Sequence, residues 1–491
     1  MKSNIKIISA LLALSASIQT NAQDLIYDGI VRGTELPVSA RFAAMGGAGT
    51  AMGGDISSFV LNPAGLQMNS EDQIDDFSKS FYASIAGRRW ATEFKYCDYS
   101  DEINPYVTAD FDLGFVVSGP VSIGMAFSRN TDMSTEEFSF WTDVETTGNA
   151  ASLMFCQPYT GSNIKYHNIL TDAETLGIPN DEKKRTFEHK VSEMYTNGGC
   201  YLLSIPFSVT IAKNVLHAGI SADFHYTQYT SNIDFEENSY DYPDWEYYTT
   251  KDKSDGFAIS WKGGVVFSPI KHLVLGAAYH HKVNYKFKNV YDYNISTDGA
   301  GHMSNMTDSD KVIRRNDSMY YHLSVPSKLV LSGALLLPRY GSFCCDIEYT
   351  DYSKAQYYSK DGGKQYWNDN GQVKETYRAA ANLHFGTEWM IDTKKPQLYA
   401  IFLRAGYAIY GNPYKNTGKS VERTALSAGI GFAFERVNWD FTAVYSKTDT
   451  QRYLYNFGSV SAPYDFKQSS LEVLCSVKFT FGYFEDFSFK Y

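Results

Sequence analysis

Through its second half the chain alternates between apolar and small or polar side chains in runs of about ten residues. In 471–481, Leu471, Val473, Cys475, Val477, Phe479 and Phe481 share one face, opposite Glu472, Leu474, Ser476, Lys478 and Thr480. In 273–287, Leu273, Leu275, Ala277, Tyr279, His281, Val283, Tyr285 and Phe287 alternate with Val274, Gly276, Ala278, His280, Lys282, Asn284 and Lys286. Segments 215–226, 376–389, 424–435 and 438–446 behave alike. A period of two marks strands, and roughly ten residues is what a tilted strand needs to cross a bilayer. One face is almost continuously apolar and aromatic; the other carries Gly, Ser, Asn, Lys and His. A soluble sandwich buries its apolar face and charges its outside. A membrane barrel turns the apolar face to lipid and the polar face to its lumen, and the pattern here is the second.

The links support the same reading. Short ones, such as Gly119-Pro120, Lys213-Asn214, Arg339-Tyr340-Gly341 and Arg436-Val437, alternate with long polar ones. The long links are 132–197, 232–254, 289–319, 353–375, 411–423 and 449–467. Outer-membrane barrels pair short periplasmic turns with long outer loops in this way. Counting from residue 80 gives roughly 14 strands, an even number. They start near 80–97, 106–118, 121–131, 198–211 and 215–230, followed by 255–268, 272–287, 321–336, 342–352 and 375–391. The last four lie near 397–410, 423–435, 438–448 and 469–482. Pro326 interrupts a ladder unless it sits at an edge or bulge. Asn180 to Met194 has a helix-compatible composition with Asn180 as N-cap. Tyr407, Tyr410, Tyr445 and Tyr453 at strand ends read as an aromatic girdle.

Composition excludes other classes. The balance is 44 basic against 55 acidic residues, with no basic block, so a nucleic-acid partner is not expected. Aromatics reach 15%, too many for a disordered chain. The six cysteines (Cys97, Cys156, Cys200, Cys344, Cys345 and Cys475) are scattered, with no CxxC, so neither a disulfide framework nor a zinc site is indicated. At the N-terminus, Lys2 and Lys6 precede an apolar run from Ile7 to Ala16, and Thr20-Asn21-Ala22 supplies small residues before Gln23. This is a signal peptide over 1–22, implying export. No HExxH, GxSxG or Ser/His/Asp spacing points to an enzyme. No cofactor is expected.

Residues 23–75 do not alternate. They contain Gly46, Gly47, Gly49, Gly53, Gly54 and Asp55, followed by Asn62-Pro63-Ala64. A dinucleotide fingerprint fails because Met52 stands where a glycine is required, and no P-loop Gly-Lys-Ser/Thr occurs. The glycines fit close backbone packing and turns. A compact segment ahead of a barrel too wide to fill with its own side chains suits a plug.

The string AAMGGAGTAMGGDISSFVLNPAGL resembles the N-terminal hatch signature of the FadL/TodX family of outer-membrane transporters, in its Bacteroidetes form. Phe127-Ser128-Arg129-Asn130 after Gly124 is similar to the family's third strand. Val325-Pro326-Ser327-Lys328 with 346–353 resembles its central hairpin. The resemblance implies an all-β, 14-stranded antiparallel barrel (76–491) with a lumenal hatch (23–75) in the outer membrane of a Gram-negative cell. It implies uptake of fatty acid-like or aromatic hydrophobic molecules by passive, hatch-gated diffusion, sometimes through a side opening in the wall. The gating residues would be Gly46, Gly47, Gly49, Gly53, Gly54, Asp55, Asn62, Pro63 and Ala64. No substrate-binding residue transfers. Expected partners are the hydrophobic ligand, membrane lipid and lipopolysaccharide, for a monomer. Two alternatives remain. One is a surface assembly protein of a secretion system, motivated by the 132–197 and 232–254 loops. The other is a haem receptor using His217, His225 or His280. Lys183-Lys184-Arg185 reads as a solvated loop patch.

Overall fold

The computed structural model describes residues 27, 30–31, 34–35, 38–69, 78–96, 99–103, 107–134, 140–146, 154–156, 166–168, 185–239, 245–297, 312–359, 366–395, 397–415, 422–457 and 460–481. The expected signal segment 1–22 and Lys183-Lys184 lie outside them. Fourteen antiparallel strands build the wall. They begin with β1 (Ser78–Tyr96), β2 (Val107–Ser118), β3 (Val121–Asp132), β4 (Arg185–Ala212), β5 (Leu216–Ser239) and β6 (Trp245–Ile270). Next come β7 (Leu273–His280 and Val283–Thr297), β8 (Val312–Val325 and Lys328–Leu337), β9 (Gly341–Asp351) and β10 (Ala379–Asp392). The last are β11 (Ala400–Tyr410), β12 (Glu422–Ala433), β13 (Val437–Phe457) and β14 (Val460–Phe481). β1 pairs with β14 from Lys79↔Phe481 to Lys95↔Asp465 and closes the barrel. This pairing removes the open edges a flat sheet would leave, as the bilayer demands of a strand-built span, and the β2–β3 pair is interrupted at one place described below.

The wall is inside out relative to a soluble protein. Ile220, Ile259 and Phe111 are more than half exposed, while Ser204, Ser208 and Asp346 on the other face are buried. The outward faces are apolar and face lipid; the inward faces are polar and need partners in the lumen. No helix among the described residues is long and apolar enough to cross a membrane.

Several ladders run further than hydropathy indicated. β4 and β5 stay paired to Ser239↔Phe187, β5 and β6 to Asn238↔Trp245, and β13 and β14 to Phe457↔Val460. Much of the expected long links is therefore sheet. Side chains there change character on leaving the lipid, but backbone pairing continues because each ladder step satisfies two polar groups. For the same reason the helix expected over 180–194 is absent from its described part. Residues 185–194 belong to β4, with Met194 opposite Ile233. A neighbouring strand edge overrides weak helix propensity. Within 353–375 the chain does form a helix, α3 by chain order after two short ones described below, at Trp367–Thr376.

β7 and β8 break together. His280 pairs with Lys328 and Val283 with Val325, leaving 281–282 and 326–327 between the two ladders. Pro326, lacking an N–H, stands in this gap. The break adds one residue to the alternation, so each outer half is turned over. Val274, Ala278, Tyr285 and Phe287 all point inward. The alternation had placed Tyr285 and Phe287 on the lipid face and Asn284 and Lys286 in the lumen; that assignment is corrected here.

The lumen holds residues 38–69. Two short helices, α1 (Ala40–Ala44) and α2 (Ser57–Val60), and a 3-10 stretch (Pro63–Asn69) follow one another. The Ser39 hydroxyl accepts from Phe42 N and caps α1. Ile56, Phe59 and Leu66 pack against Tyr82, Val116 and Ala126 of the wall.

Candidate functional site

Two layers of the lumen and one parting in the wall carry the chemistry. The first is the seat of the 38–69 segment. Its backbone is held by side chains from many wall strands. Ala40 N donates to Ser476, Thr442 donates to Ala40 O at 2.6 Å, and Ser427 donates to Ala44 O at 2.9 Å. Gly46 N donates to Ser427, and the Gly46 carbonyl accepts from His384 at 2.8 Å. Gly49 N and Thr50 N both donate to the Asp346 carboxylate, and Ala51 N donates to Ser332. Lys478 donates to Gly54 O, Ser204 to Phe59 O, His280 to Leu61 O and Gln67 to Ser208 O.

All the residues expected from the hatch string lie in this seat. Gly46, Gly47, Gly49, Gly53 and Gly54 all have positive φ. Gly46 shows why a side chain is excluded: a Cβ there would approach Tyr407 N to 2.6 Å. The wall is cut to match, since a side chain on Gly406 would strike Met45 and Gly46, and one on Gly264 would strike Asn62. Asp55 accepts from Ser39 at 2.8 Å and from Ser57 N. Fully buried Asn62 accepts from Ala64 N at 3.1 Å and donates to Val265 O, so Asn62-Pro63-Ala64 forms a side-chain-closed turn against the wall.

An ion-pair chain that motif reading missed fixes α1. Arg41 reaches Glu388 through two nitrogens, at 3.0 and 3.2 Å. Arg404 binds the same carboxylate at 2.6 Å and Asp440 at 2.6 Å. The available signal was a lone acid at an inward strand position, which a barrel lined mainly by small residues does not use without reason.

The second layer is aromatic. Tyr285, Phe287, Tyr321, Tyr357 and Tyr366 form a run of ring contacts with centroids 5.4–6.3 Å apart, joined by Leu323 and Val373. It lies on the outer halves of β7 and β8 and the chain after β9, towards the extracellular end. Tyr27, from the segment preceding the hatch string, enters this layer. Its ring meets Tyr377 edge-on at 4.9 Å, and its hydroxyl donates to Tyr352 O at 2.6 Å. Burial pushes the Tyr27 phenol well above its ordinary value, so it remains a donor. The layer was illegible because the turned-over register of β7 placed Tyr285 and Phe287 outside. Tyr407 and Tyr445 do point outward, as a girdle requires. Tyr410 does not: its ring packs on inward-facing His384 and beneath Arg423, which corrects the girdle assignment. The Tyr453 side chain is outside the described set.

The third feature is a parting in the wall. β2 and β3 pair only from Leu113↔Phe127 to Val117↔Ile123. Beyond this, β2 continues to Val107 on β1 alone. The outer end of β3 pairs instead with Thr34–Glu35, which takes the place of β2. Arg129 spans the parting, at 2.6 Å from Asp110 on β2 and 2.8 Å from Asp132 on β3. Phe111 and Phe127 close it on the lipid side, with centroids 5.9 Å apart.

The histidines considered as haem ligands are engaged otherwise. His280 is on Leu61 O, His225 on Ser260 at 2.7 Å and His217 on Thr210 at 3.1 Å. Among the described residues no group of three His, Cys, Asp or Glu side chains could hold a metal ion.

The family model described as outer membrane protein transport protein (OMPP1/FadL/TodX) matches residues 243–483. A Pseudomonas aeruginosa FadL homologue superimposes with TM-score 0.58 at 14% identity, covering 91% of this chain and 99% of that one. The P. putida toluene transporter TodX gives 0.54 at 14%, covering 92% and 99%. A monoaromatic hydrocarbon channel, CymD, gives 0.54 at 13%, covering 91% and 98%. No curated protein sequence matches the chain. At such identities the superpositions speak for the fold, a closed 14-stranded barrel. The family model adds that residues 243–483 of this chain are similar to the OMPP1/FadL/TodX outer membrane transport proteins.

Proposed function

We propose that this barrel takes up small hydrophobic molecules across the outer membrane by passive diffusion, with residues 23–75 as its hatch. The observation that carries the reading is the aromatic layer around Tyr285, Phe287, Tyr321 and Tyr357, facing inward on the extracellular side of the seat. A solute arriving from outside meets apolar ring faces before it meets the hatch, and burying apolar area there draws it out of water. The names of the similar structures, a toluene transporter and a monoaromatic hydrocarbon channel, agree with such cargo.

In this reading 1–22 is a signal peptide removed on export and 76–491 is the barrel. The positive-φ glycines, Asp55 and Asn62-Pro63-Ala64 hold the hatch in one shape. Release sideways through the β2–β3 parting asks for less than expulsion of the hatch. It needs Arg129 and the Phe111–Phe127 contact to yield, whereas a downward exit breaks the many bonds of the seat. The barrel works as a monomer, its outward apolar band in contact with membrane lipid and lipopolysaccharide. Uptake of a labelled alkylbenzene by Gram-negative cells making the barrel tests this. Uptake should exceed that of cells without it and fall in the Phe287→Ala/Tyr321→Ala variant. Equal uptake with and without the barrel overturns the reading.

A further inference from the structure

The break that turns Tyr285 and Phe287 into the lumen turns Lys286 and Lys288 out of it. With Lys282, which stands in the break itself, they make a line of exposed lysines up the outward face of β7. β6 adds Lys251 and Lys253, both exposed. Two acids share these faces: Asp255, in register with Lys288, and Asp292, in register with Lys251. Asp255 is already engaged, 3.9 Å from Lys253 and 3.0 Å from the Tyr226 hydroxyl that donates to it. Among the described residues Lys282, Lys286 and Lys288 have no ion-pair partner. Lysines thus outnumber acids here, on a chain whose formal net charge is −11. On the far side of the barrel, at a similar distance from the short turns, β1 and β14 carry Glu93 and Lys467, which balance each other at 4.0 Å.

The level of the lysines is fixed by the strand below them. From the short turn upward, the outward face of β7 runs through Leu275, Ala277 and Tyr279 before the break. Lys282 lies nine residues beyond Leu273. At about 3.4 Å per residue and a tilt of about 40°, that is ~23 Å, the top of an apolar band about 25 Å tall. Rings mark the same level. Trp261 stacks on His281 with centroids 5.2 Å apart and lies 5.7 Å from Tyr279, as aromatic side chains do where hydrocarbon meets headgroups. Lys286 and Lys288 rise above this belt. Exposed Tyr320 is in register with Lys288, and His322, in register with Lys286, stacks on Tyr358 at 4.9 Å.

A partner that fits this face lays apolar chains along Leu275 and Tyr279 and presents negative charge above them. A phospholipid carries its phosphate at one level. From Lys282 to Lys288 the strand rises about 20 Å, so the lysines offer charge at several levels. Lipopolysaccharide is built to match: its phosphates begin on lipid A, and its acidic groups continue into the inner core sugars. It also fills the outer leaflet, the side on which these lysines stand. The exposed Tyr320 ring gives a sugar a flat apolar face to lie against.

We propose that the outward face of β6 and β7 is a binding site for lipopolysaccharide, with Lys282, Lys286 and Lys288 holding its phosphates and inner core. The site lies outside the lumen and does not depend on what the barrel takes up. Native mass spectrometry of the full chain in neutral detergent tests it, with rough lipopolysaccharide and phosphatidylglycerol as probes at equal concentration. A lysine beside an anionic headgroup is worth about fivefold in affinity, so bound lipopolysaccharide, which meets more of them, should exceed bound phosphatidylglycerol by at least about fivefold. The Lys282→Gln/Lys286→Gln/Lys288→Gln variant should lose that excess. The Lys447→Gln/Lys467→Gln variant, elsewhere on the outer wall, should keep it. Heat-shifted migration on a gel reports that each barrel has folded, and the comparison of the two lipids on the unaltered chain needs no variant. Equal binding of the two lipids overturns the choice of lipopolysaccharide. Retention of the excess by the triple variant removes the lysines as its site. An equal loss in the control variant reduces the effect to overall charge and overturns the site as well.

Discussion

The lower and upper halves of the lumen are built on opposite principles. Below, the 38–69 segment meets the wall through directed bonds to its own backbone, from Ser476 and Thr442 at one side to Asp346 and Ser204 at the other. Above, Tyr27 sits in an apolar cluster, edge-on to the Tyr377 ring, with one hydroxyl bond to Tyr352 O. Hydrogen bonds tolerate little displacement, because a donor or acceptor that loses its partner in a buried site costs about 1–3 kcal/mol. Ring faces slide and separate with smaller penalties per contact, of the order of 0.5–1.5 kcal/mol. The seat is therefore the rigid layer and the aromatic layer the adaptable one, which suits a fixed floor beneath a site that admits molecules of varied shape.

That contrast can be broken from either side. The largest effect is expected from Glu388→Ala, which leaves Arg404 buried beside Asp440 alone and strips Arg41 of its anchor. Stability should fall by about 3–5 kcal/mol, seen as an earlier midpoint in denaturant titration of the detergent-solubilised barrel. Gly406→Val comes next. It fills the notch that receives Met45 and Gly46, so the segment must shift, and leakage of small sugars into liposomes carrying the variant should rise. An unchanged leak would mean that the seat is softer than its bonding indicates.

In the upper layer, Phe287→Ala should leave the denaturation midpoint closer to wild type than Glu388→Ala does. It should also weaken binding of an alkylbenzene by about tenfold, read by calorimetry. The reverse ranking would make the aromatic layer structural rather than receptive. The smallest change is Tyr27→Phe, which deletes only the hydroxyl bond to Tyr352 O. It should cost about 1 kcal/mol, measured by the same denaturant titration.

The two layers also differed in legibility. The hatch string marked the seat because its glycines occupy conformations and close approaches that few other residues accept, and Gly46 at a φ of 67° beside Tyr407 is such a case. The strands were legible because lipid enforces a strict alternation, interrupted only where the wall itself is irregular. The partners of the seat were harder to see. Glu388 and Asp346 are acids at inward positions, and nothing local tells that one will meet the Arg41 guanidinium and the other the backbone of Gly49 and Thr50 across hundreds of residues. The aromatic layer was hidden by the break at 281–282, since one added residue turns every later side chain of the strand to the other face. The parting at Arg129 was invisible for a related reason. Pairing between β2 and β3 stops while both sequences continue to read as strands.

The reach of the seat along the chain bears on how the molecule is made. Ala40 is bonded to Ser476, Ala40 and Ala44 to Thr442 and Ser427, and Thr50 to Asp346, so an early part of the chain is held by strands that are synthesised long after it. Contacts so distant in sequence form late. A barrel that sealed β1 to β14 first would have to admit the segment afterwards through its own mouth. The order that avoids this has the early segment waiting, with the sheet curling round it and the β1–β14 seam closing over it as the final step of assembly.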